Sequence, residues 1–213
     1  MDFSLETVAL AVVPVVLAIA LHEAAHGYVA RIFGDQTAWM LGRVTLNPLK
    51  HIDPIGTVAV PAVLLLTGAP FLFGWAKPVP VNFGNLRNPK RDMIWVAGAG
   101  PLANFVMAVL WALLAQAAAP SGPLGSDGLY QMAQIGISIN LVLMVLNLLP
   151  IPPLDGGRIA VGLLPDRASR ALAQVEPYGF IVILLLLVTG LLGDLMRPVL
   201  RVAAFLLYAL TGL

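Results

Sequence analysis

Long apolar stretches separated by short polar segments form the dominant pattern along this chain. Residues 6–32, 92–118 and 129–149 are three such stretches, each broken by only a few polar side chains. A helix rises ~1.5 Å per residue, so each stretch is long enough to cross a hydrocarbon core of ~30 Å. The pattern predicts membrane-spanning helices at these three places.

Two further parts of the pattern leave alternatives open. Residues 55–73 are apolar, but Pro61, Gly68 and Pro70 interrupt them, which allows either a span or a re-entrant segment packed on protein. The apolar stretches after residue 177 are split near Gly193 and Pro198 and form either two spans or a hairpin. We therefore predict an all-α polytopic membrane protein with about five to six membrane segments and a re-entrant or extended segment after the first helix.

The composition supports this class. The 213 residues are 59% hydrophobic and 11% charged, whereas soluble domains have about 25% charged residues. Most of the chain is needed for membrane segments, so we expect one domain over residues 1–213 in contact with the lipid bilayer. A net charge of +1 gives no electrostatic reason to expect nucleic acid, and the absence of cysteine excludes thiolate ligands.

The distribution of charge predicts the topology. Residues 34–92 contain most of the basic residues that precede the second long stretch. In residues 120–128 the only charged residue is Asp127. The positive-inside rule then places residues 34–92 in the cytoplasm and residues 120–128 outside. An even number of crossings must separate the first two long stretches, which favours a re-entrant segment or hairpin at 55–73.

A polar motif interrupts the first apolar stretch. His22-Glu23-Ala24-Ala25-His26 matches H-E-x-x-H, and on a helix both histidines lie on one face, where they can bind the same metal ion. Glu23 can reach a water beside that ion. The alternative is a hydrogen-bonded polar cluster between helices, but ionisable groups inside a membrane span usually have a functional role.

A catalytic zinc usually has three protein ligands, and Asp155 is the strongest candidate for the third. It follows an apolar stretch and precedes Gly156-Gly157, which permit close backbone approach. Asn147 lies eight residues earlier and either assists at a substrate carbonyl or makes an interhelical hydrogen bond. For Asn140 we favour the interhelical hydrogen bond.

These motifs together resemble those of the site-2 protease family of intramembrane zinc metalloproteases. The matching segments occur in the family's order, and they are His22–His26, Gly100-Pro101-Leu102-Ala103-Asn104, and Asn147–Pro150 with Leu154-Asp155-Gly156. The resemblance implies one Zn²⁺ per chain bound by His22, His26 and Asp155, with Glu23 as general base and Asn147 at the substrate carbonyl. It also implies a protease core at residues 5–160 followed by C-terminal membrane segments at 177–213. We expect a minimal form without PDZ or CBS domain.

The expected function is hydrolysis of peptide bonds in transmembrane protein substrates, in a multi-pass protein of a bacterial-type inner membrane. The extended Trp75–Asn82 segment, with its Pro-x-Pro alternation, could pair with an unwound substrate. Two alternatives are a divalent-metal transporter and a catalytically silent relative that binds membrane helices. The first lacks a path of further acidic or histidine residues, and the second would be expected to lack Glu23. The oligomeric state is left open.

Overall fold

A computed structural model of the protein describes residues 5–67 and 74–212, and all regular structure in those ranges is helical. The α-helices are α1 Leu5–Ile32, α2 Thr37–Met40, α3 Val60–Leu66, α4 Pro89–Ala118, α5 Asp127–Leu148, α6 Asp155–Leu163, α7 Asp166–Ala173, α8 Glu176–Val188 and α9 Leu191–Thr211. A π-helical turn, Pro54–Ala59, precedes α3, and short 3₁₀ turns occur at Pro48–Lys50 and Phe83–Asn85. The predicted all-α class is confirmed.

Three of these helices, α1, α4 and α5, are long and apolar enough to cross a membrane, and the bent pair α7–α8 gives a possible fourth span. The predicted five to six membrane segments are therefore not confirmed. Helix α9 is long enough, but Asp194, Arg197 and Arg201 place three charges in its first half. The helical part of the predicted 55–73 segment, Pro54–Leu66, is too short to cross.

Small side chains bring the central helices together. Ala108, Ala112 and Ala115 of α4 are fully buried against α5. The indole of Trp111 lies directly over Gly136 of α5, where any side chain would collide with the ring. Close helix approach at small residues is the usual way in which helices pack in membranes. Helix α4 is thus the central element, and α1, α5 and α6 all pack against it.

The two ends of the apolar segment after α1 meet. The Trp75 N–H donates to the Gly56 carbonyl at 3.1 Å, and the Thr57 hydroxyl donates to the Trp75 carbonyl at 2.8 Å. The chain therefore returns at residue 75 to the place that it left at residue 56, as expected of a re-entrant segment or hairpin. Residues 68–73 of the predicted segment lie outside the described residues.

After this return, residues 74–82 run beside α1 without forming helix or strand. The end of the segment is attached to the end of α1 by Asp35, whose side chain is fully buried. Asp35 accepts hydrogen bonds from the Asn82 N–H at 2.7 Å, from Asn85 Nδ2 at 3.1 Å, and from the N–H and hydroxyl of Thr37. Burial acts to raise the pKa of Asp35, but these hydrogen bonds outweigh it and hold the pKa below its ordinary value.

Candidate metal centre

Three buried side chains converge where α1, α4 and α6 meet. His22 and His26 lie one turn apart on α1, and Asp155 is the first residue of α6. The two Nε2 atoms are 3.0 Å apart, and each lies 3.3 Å from Asp155 Oδ2. The sequence predicted this set, and the fold brings all three residues together.

Hydrogen bonds on the far side of each imidazole determine its tautomer. His26 Nδ1 lies 2.7 Å from the Val96 carbonyl oxygen, which can only accept, so this nitrogen donates. His22 Nδ1 lies 2.6 Å from Oδ1 of Asn104, whose amide nitrogen donates to the carbonyl of Ala18 and to Oδ1 of Asn140. Both Nδ1 atoms therefore carry the proton in the neutral rings, and both Nε2 atoms present lone pairs.

The three facing atoms fit a zinc ion. Two nitrogen lone pairs and a carboxylate oxygen repel one another unless a cation lies between them. Ligands ~2.0–2.1 Å from a tetrahedral zinc are separated by about 3.3 Å, close to the observed spacings. Asp155 Oδ2 is also buried and makes no hydrogen bond to the described residues. The donor set and its geometry both suit zinc.

Gly100 of α4 keeps the space at the two imidazoles open. A Cβ at this position would stand 2.6 Å from Cε1 and Nε2 of His22, and closer still to Nε2 of His26. At Gly98, two residues earlier on the same helix, a Cβ would meet nothing within 4 Å. The positions of the two imidazole rings therefore require the glycine of the Gly-Pro motif.

Gly156 and Gly157 permit the approach of Asp155. A Cβ on Gly156 would collide with the carbonyls of Leu148 and Leu149, and one on Gly157 would collide with the backbone at Pro152. The start of α6 thus packs directly against the end of α5 and the turn that follows it. The predicted close backbone approach at these two glycines is confirmed.

Glu23 lies beside the first histidine and is half-buried. Its Oε2 accepts a hydrogen bond of 2.6 Å from the main-chain N–H of Val79, in the extended segment that runs beside α1. Its other oxygen, Oε1, accepts no hydrogen bond from the part of the chain that the structure describes. One carboxylate oxygen is therefore held by the main chain, and the other is not held by any described residue.

Comparison with known proteins agrees with this site. A sequence model of Peptidase family M50 matches residues 115–190. Over 194 residues the chain is 42% identical to "Putative zinc metalloprotease YwhC" of Bacillus subtilis (strain 168), and the match covers 89% of this chain and 85% of that protein. The chain belongs to peptidase family M50. The resemblance to the site-2 protease family is thereby confirmed.

Two mycobacterial relatives of this M50 family member are longer. The chain is 34% identical over 178 residues to "Putative zinc metalloprotease Rip2" of Mycolicibacterium smegmatis, covering 83% of this chain and 66% of that protein. It is 30% identical over 174 residues to the Rip2 protein of Mycobacterium tuberculosis (strain H37Rv), covering 80% and 63%. This chain thus spans slightly less than two thirds of either Rip2 protein's length. No solved structure matches the chain significantly.

Asn140 and Asn147 of this M50 chain have different surroundings. Asn140 accepts from Asn104 and donates to the Gly136 carbonyl, so it makes the interhelical hydrogen bond that we favoured. Asn147 is half-buried and donates to the Leu143 carbonyl of its own helix. Among the described residues, no hydrogen bond joins Asn147 to the histidines, Glu23 or Asp155.

Sequence reasoning missed three contacts at the site. Asn104 belongs to the quoted Gly-Pro motif, but we assigned it no role, although an amide side chain within an apolar stretch was the available signal. The structure shows that Asn104 is fully buried. The carbonyl of Val96 and the N–H of Val79 are main-chain groups, which every non-proline residue possesses. No feature of the sequence distinguishes these two groups from the others.

Proposed function

We propose that this chain is a zinc metalloendopeptidase that hydrolyses peptide bonds of transmembrane protein substrates within the bilayer. The observation that supports this most directly is the triangle of His22 Nε2, His26 Nε2 and Asp155 Oδ2, buried in apolar helices beside Glu23. Membership of peptidase family M50 and relatives named as putative zinc metalloproteases support the same reaction.

His22, His26 and Asp155 are the residues that would hold one zinc per chain. When bound, zinc polarises the scissile carbonyl and makes water a competent nucleophile at neutral pH. Asn104 and the Val96 carbonyl keep both imidazoles in the tautomer that presents Nε2 to the metal. The fourth position of an ordinary zinc site is left for the reacting water.

Glu23 is the general base and then the general acid in this proposal. Its carboxylate accepts a proton from the attacking water and delivers it to the nitrogen of the leaving amine. Oε1 is the oxygen suited to this transfer, because Oε2 already accepts the Val79 N–H. The carboxylate is adjacent in sequence to a ligand, so it lies within reach of the reacting centre.

The finer assignments rest on the resemblance and on the apolar helices. One amide hydrogen of Asn147 goes to the Leu143 carbonyl, and we assign the other to the developing charge on the substrate carbonyl. Residues 5–160 form the proposed protease core, and residues 177–213 are further membrane segments. The proposed location is a bacterial-type inner membrane.

Replacement of the base tests the reaction. Purified Glu23→Gln should retain zinc at the wild-type stoichiometry, because both imidazoles and Asp155 remain. Its cleavage of a labelled helical peptide in liposomes should fall about 10²–10⁴-fold, because the amide cannot accept the proton. Glu6→Gln, an exposed acid at the start of the same helix, is the matched control and should cleave normally. Near wild-type cleavage by Glu23→Gln would exclude the proposed role.

A further inference from the structure

The hydrogen bond between Val79 and Glu23 comes from an unusual stretch of backbone. Val79 lies between Pro78 and Pro80, neither of which has an N–H, so residues 78–80 contain a single main-chain donor. That donor lies 2.6 Å from Oε2 of Glu23. A hydrogen bond to an ionised carboxylate is stronger than one between neutral groups.

The prolines also fix the direction of this donor. The φ angles of residues 78 and 80 are set by the pyrrolidine rings, and Val79 precedes a proline, which confines it to extended conformations. The backbone around Val79 therefore has little freedom to turn its N–H away from α1. Local sterics thus restrict this backbone to few conformations even before it contacts the rest of the protein.

Contacts on both sides hold the segment in place. Nη2 of Arg43 donates to the carbonyls of Lys77 and Pro78 at 3.0 and 3.2 Å. The Lys77 N–H donates to the His51 carbonyl at 2.9 Å. Beyond the prolines, Asp35 accepts the N–H of Asn82. The donor is thus tethered by its neighbours on either side.

Packing against α1 sets the distance between this helix and the segment that carries Val79. The Val79 side chain is buried and contacts α1 at Gly27, one turn after Glu23. A Cβ on Gly27 would stand 3.1 Å from Cγ1 of Val79 and 2.7 Å from Cγ2 of Val44. The glycine that follows the H-E-x-x-H motif therefore allows the segment to approach the helix closely.

We propose that the main-chain amide of Val79 is a positioning group for Glu23, and that Pro78-Val79-Pro80 exists to present it. By holding Oε2, the amide fixes the carboxylate of a long, otherwise rotatable side chain, so that Oε1 remains the proton acceptor. The inference rests on the proposed function of Glu23 as general base. It assigns to residues 74–82 the role of orienting the Glu23 carboxylate.

This role differs from the expected pairing of the segment with substrate. Strand addition requires a row of unused N–H and C=O groups along one edge. Here two of the N–H groups are absent, and the amides of Lys77, Val79 and Asn82 already donate within the chain. The carbonyls of Lys77 and Pro78 accept from Arg43. The arrangement favours positioning over substrate pairing.

The first test measures the hydrogen bond without using activity. The full chain, labelled with ¹⁵N-valine and held in detergent micelles, gives an amide signal for Val79 that is identified by its absence in Val79→Ala. In Glu23→Ala its exchange with deuterium should accelerate about tenfold or more, because a charge-assisted bond is lost. Glu23→Gln keeps an acceptor oxygen and should show a smaller increase, and Glu6→Ala should show none. Equal exchange in wild type and Glu23→Ala would overturn the inference.

The second test removes the donor. Val79→Pro deletes the N–H at a site already confined to extended backbone, whereas Val79→Ala keeps the N–H. With a labelled transmembrane peptide as substrate, kcat of Val79→Pro should be about 10–100-fold below that of Val79→Ala, with KM and bound zinc unchanged. Val81→Pro is the matched control, because the Val81 N–H has no hydrogen bond within residues 5–67 and 74–212. Equal kcat in Val79→Pro and Val79→Ala would refute a positioning role.

A double substitution separates positioning from general damage to the fold. In Glu23→Asp the carboxylate is one methylene shorter and cannot reach the same place. If Val79 acts through this carboxylate, Val79→Pro should lower kcat much less in Glu23→Asp than in the wild type. Equal fold-losses in both backgrounds would indicate an independent structural effect and would overturn the inference. An inactive, zinc-loaded wild type would instead refute the proposed function, and deuterium exchange would still decide whether the bond to Glu23 exists.

Discussion

Oδ1 of Asn104 lies 2.6 Å from Nδ1 of His22, and within residues 5–67 and 74–212 no other side chain hydrogen-bonds to that nitrogen. The same amide donates to Asn140 and to the Ala18 carbonyl, so it cannot reverse its orientation without losing both bonds. A side chain on α4 thus sets the proton position of a candidate metal ligand on α1. The first prediction follows from this relationship.

Asn104→Ala should weaken zinc binding about 10–100-fold, because His22 loses the partner that fixes its tautomer and ring orientation. Competition with a chromogenic chelator measures the affinity in detergent. Asn147→Ala is the matched control for zinc affinity, because among the described residues its amide donates only to the Leu143 carbonyl of its own helix. Unchanged affinity in Asn104→Ala would show that His22 needs no such support.

Gly100→Ala should abolish zinc binding with little loss of helix content. Its methyl group would occupy the space beside Nε2 of both histidines. The rings cannot easily move away, because the Nδ1 atom of each is hydrogen-bonded to α4. Gly98→Ala, on the same helix, adds the same methyl group where nothing lies within 4 Å. Metal analysis and circular dichroism of the two variants provide the comparison. Full zinc content in Gly100→Ala would place the metal elsewhere.

Asp155→Ala should lower zinc affinity sharply and abolish cleavage, because two imidazoles alone are fewer ligands than a catalytic zinc site uses. Asp155→Asn keeps the shape and loses the charge, so it should retain somewhat more zinc. Asp166→Ala, Asp194→Ala and Glu176→Ala remove side chains that lie at the surface in ion pairs, and they should keep the wild-type stoichiometry. Loss of zinc in one of these three variants would show that the replaced acid, and not Asp155, is the third ligand.

Asp35→Asn should destabilise the fold by about 1.5–3 kcal/mol at neutral pH, because a buried carboxylate with several donors becomes an amide that offers only one acceptor oxygen. Since the folded-state pKa of Asp35 is lowered, its contribution is present above the ordinary value of 3.8 and is lost as the pH falls through the lowered pKa. The difference in unfolding free energy between wild type and variant should therefore shrink below pH 3.8. Denaturation in detergent across pH 3–7 measures this difference, with exposed Asp127→Asn as the control.

The topology can be tested with single cysteines, because the natural chain has none. In intact cells, Arg87→Cys should be protected from an impermeant thiol reagent and Asp127→Cys should react. Both side chains are exposed, so protection reflects location rather than burial. The meeting of Gly56 and Trp75 requires residues 56 and 75 to lie at the same depth. Labelling at 87 and protection at 127 would contradict the assigned orientation.

Much of the site could be predicted because its chemistry is carried by side chains. The i, i+4 spacing of His22 and His26 and the two glycines after Asp155 are local features with a direct geometric meaning. The convergence of His22 and His26 of α1 with Asp155 of α6 was implied by the family resemblance. The main-chain contacts of Val96 and Val79 were beyond prediction, because the backbone is chemically the same at nearly every position.

The number of membrane segments was harder to predict than their class. Apolar composition alone does not distinguish α9 from a membrane-spanning helix. Its charges at residues 194, 197 and 201 interrupt a helix that is otherwise long enough to span. It also does not show that residues 56 and 75 meet, which depends on hydrogen bonds between distant parts of the chain. The all-α class follows from apolar stretches that can be read locally in the sequence. The path of a stretch broken by proline and glycine depends instead on tertiary contacts.

The position of Asp155 has a consequence for how the protein is assembled. Helix α6 packs mainly against α4, yet its first residue reaches the two histidines of α1. A bound ion would therefore join α1 to a helix that leaves the ribosome much later. Free zinc at 100 times its dissociation constant would add about 2.7 kcal/mol to the stability of the assembled state. Starving cells of zinc should shorten the lifetime of the protein as well as its activity, since the same ion would serve both.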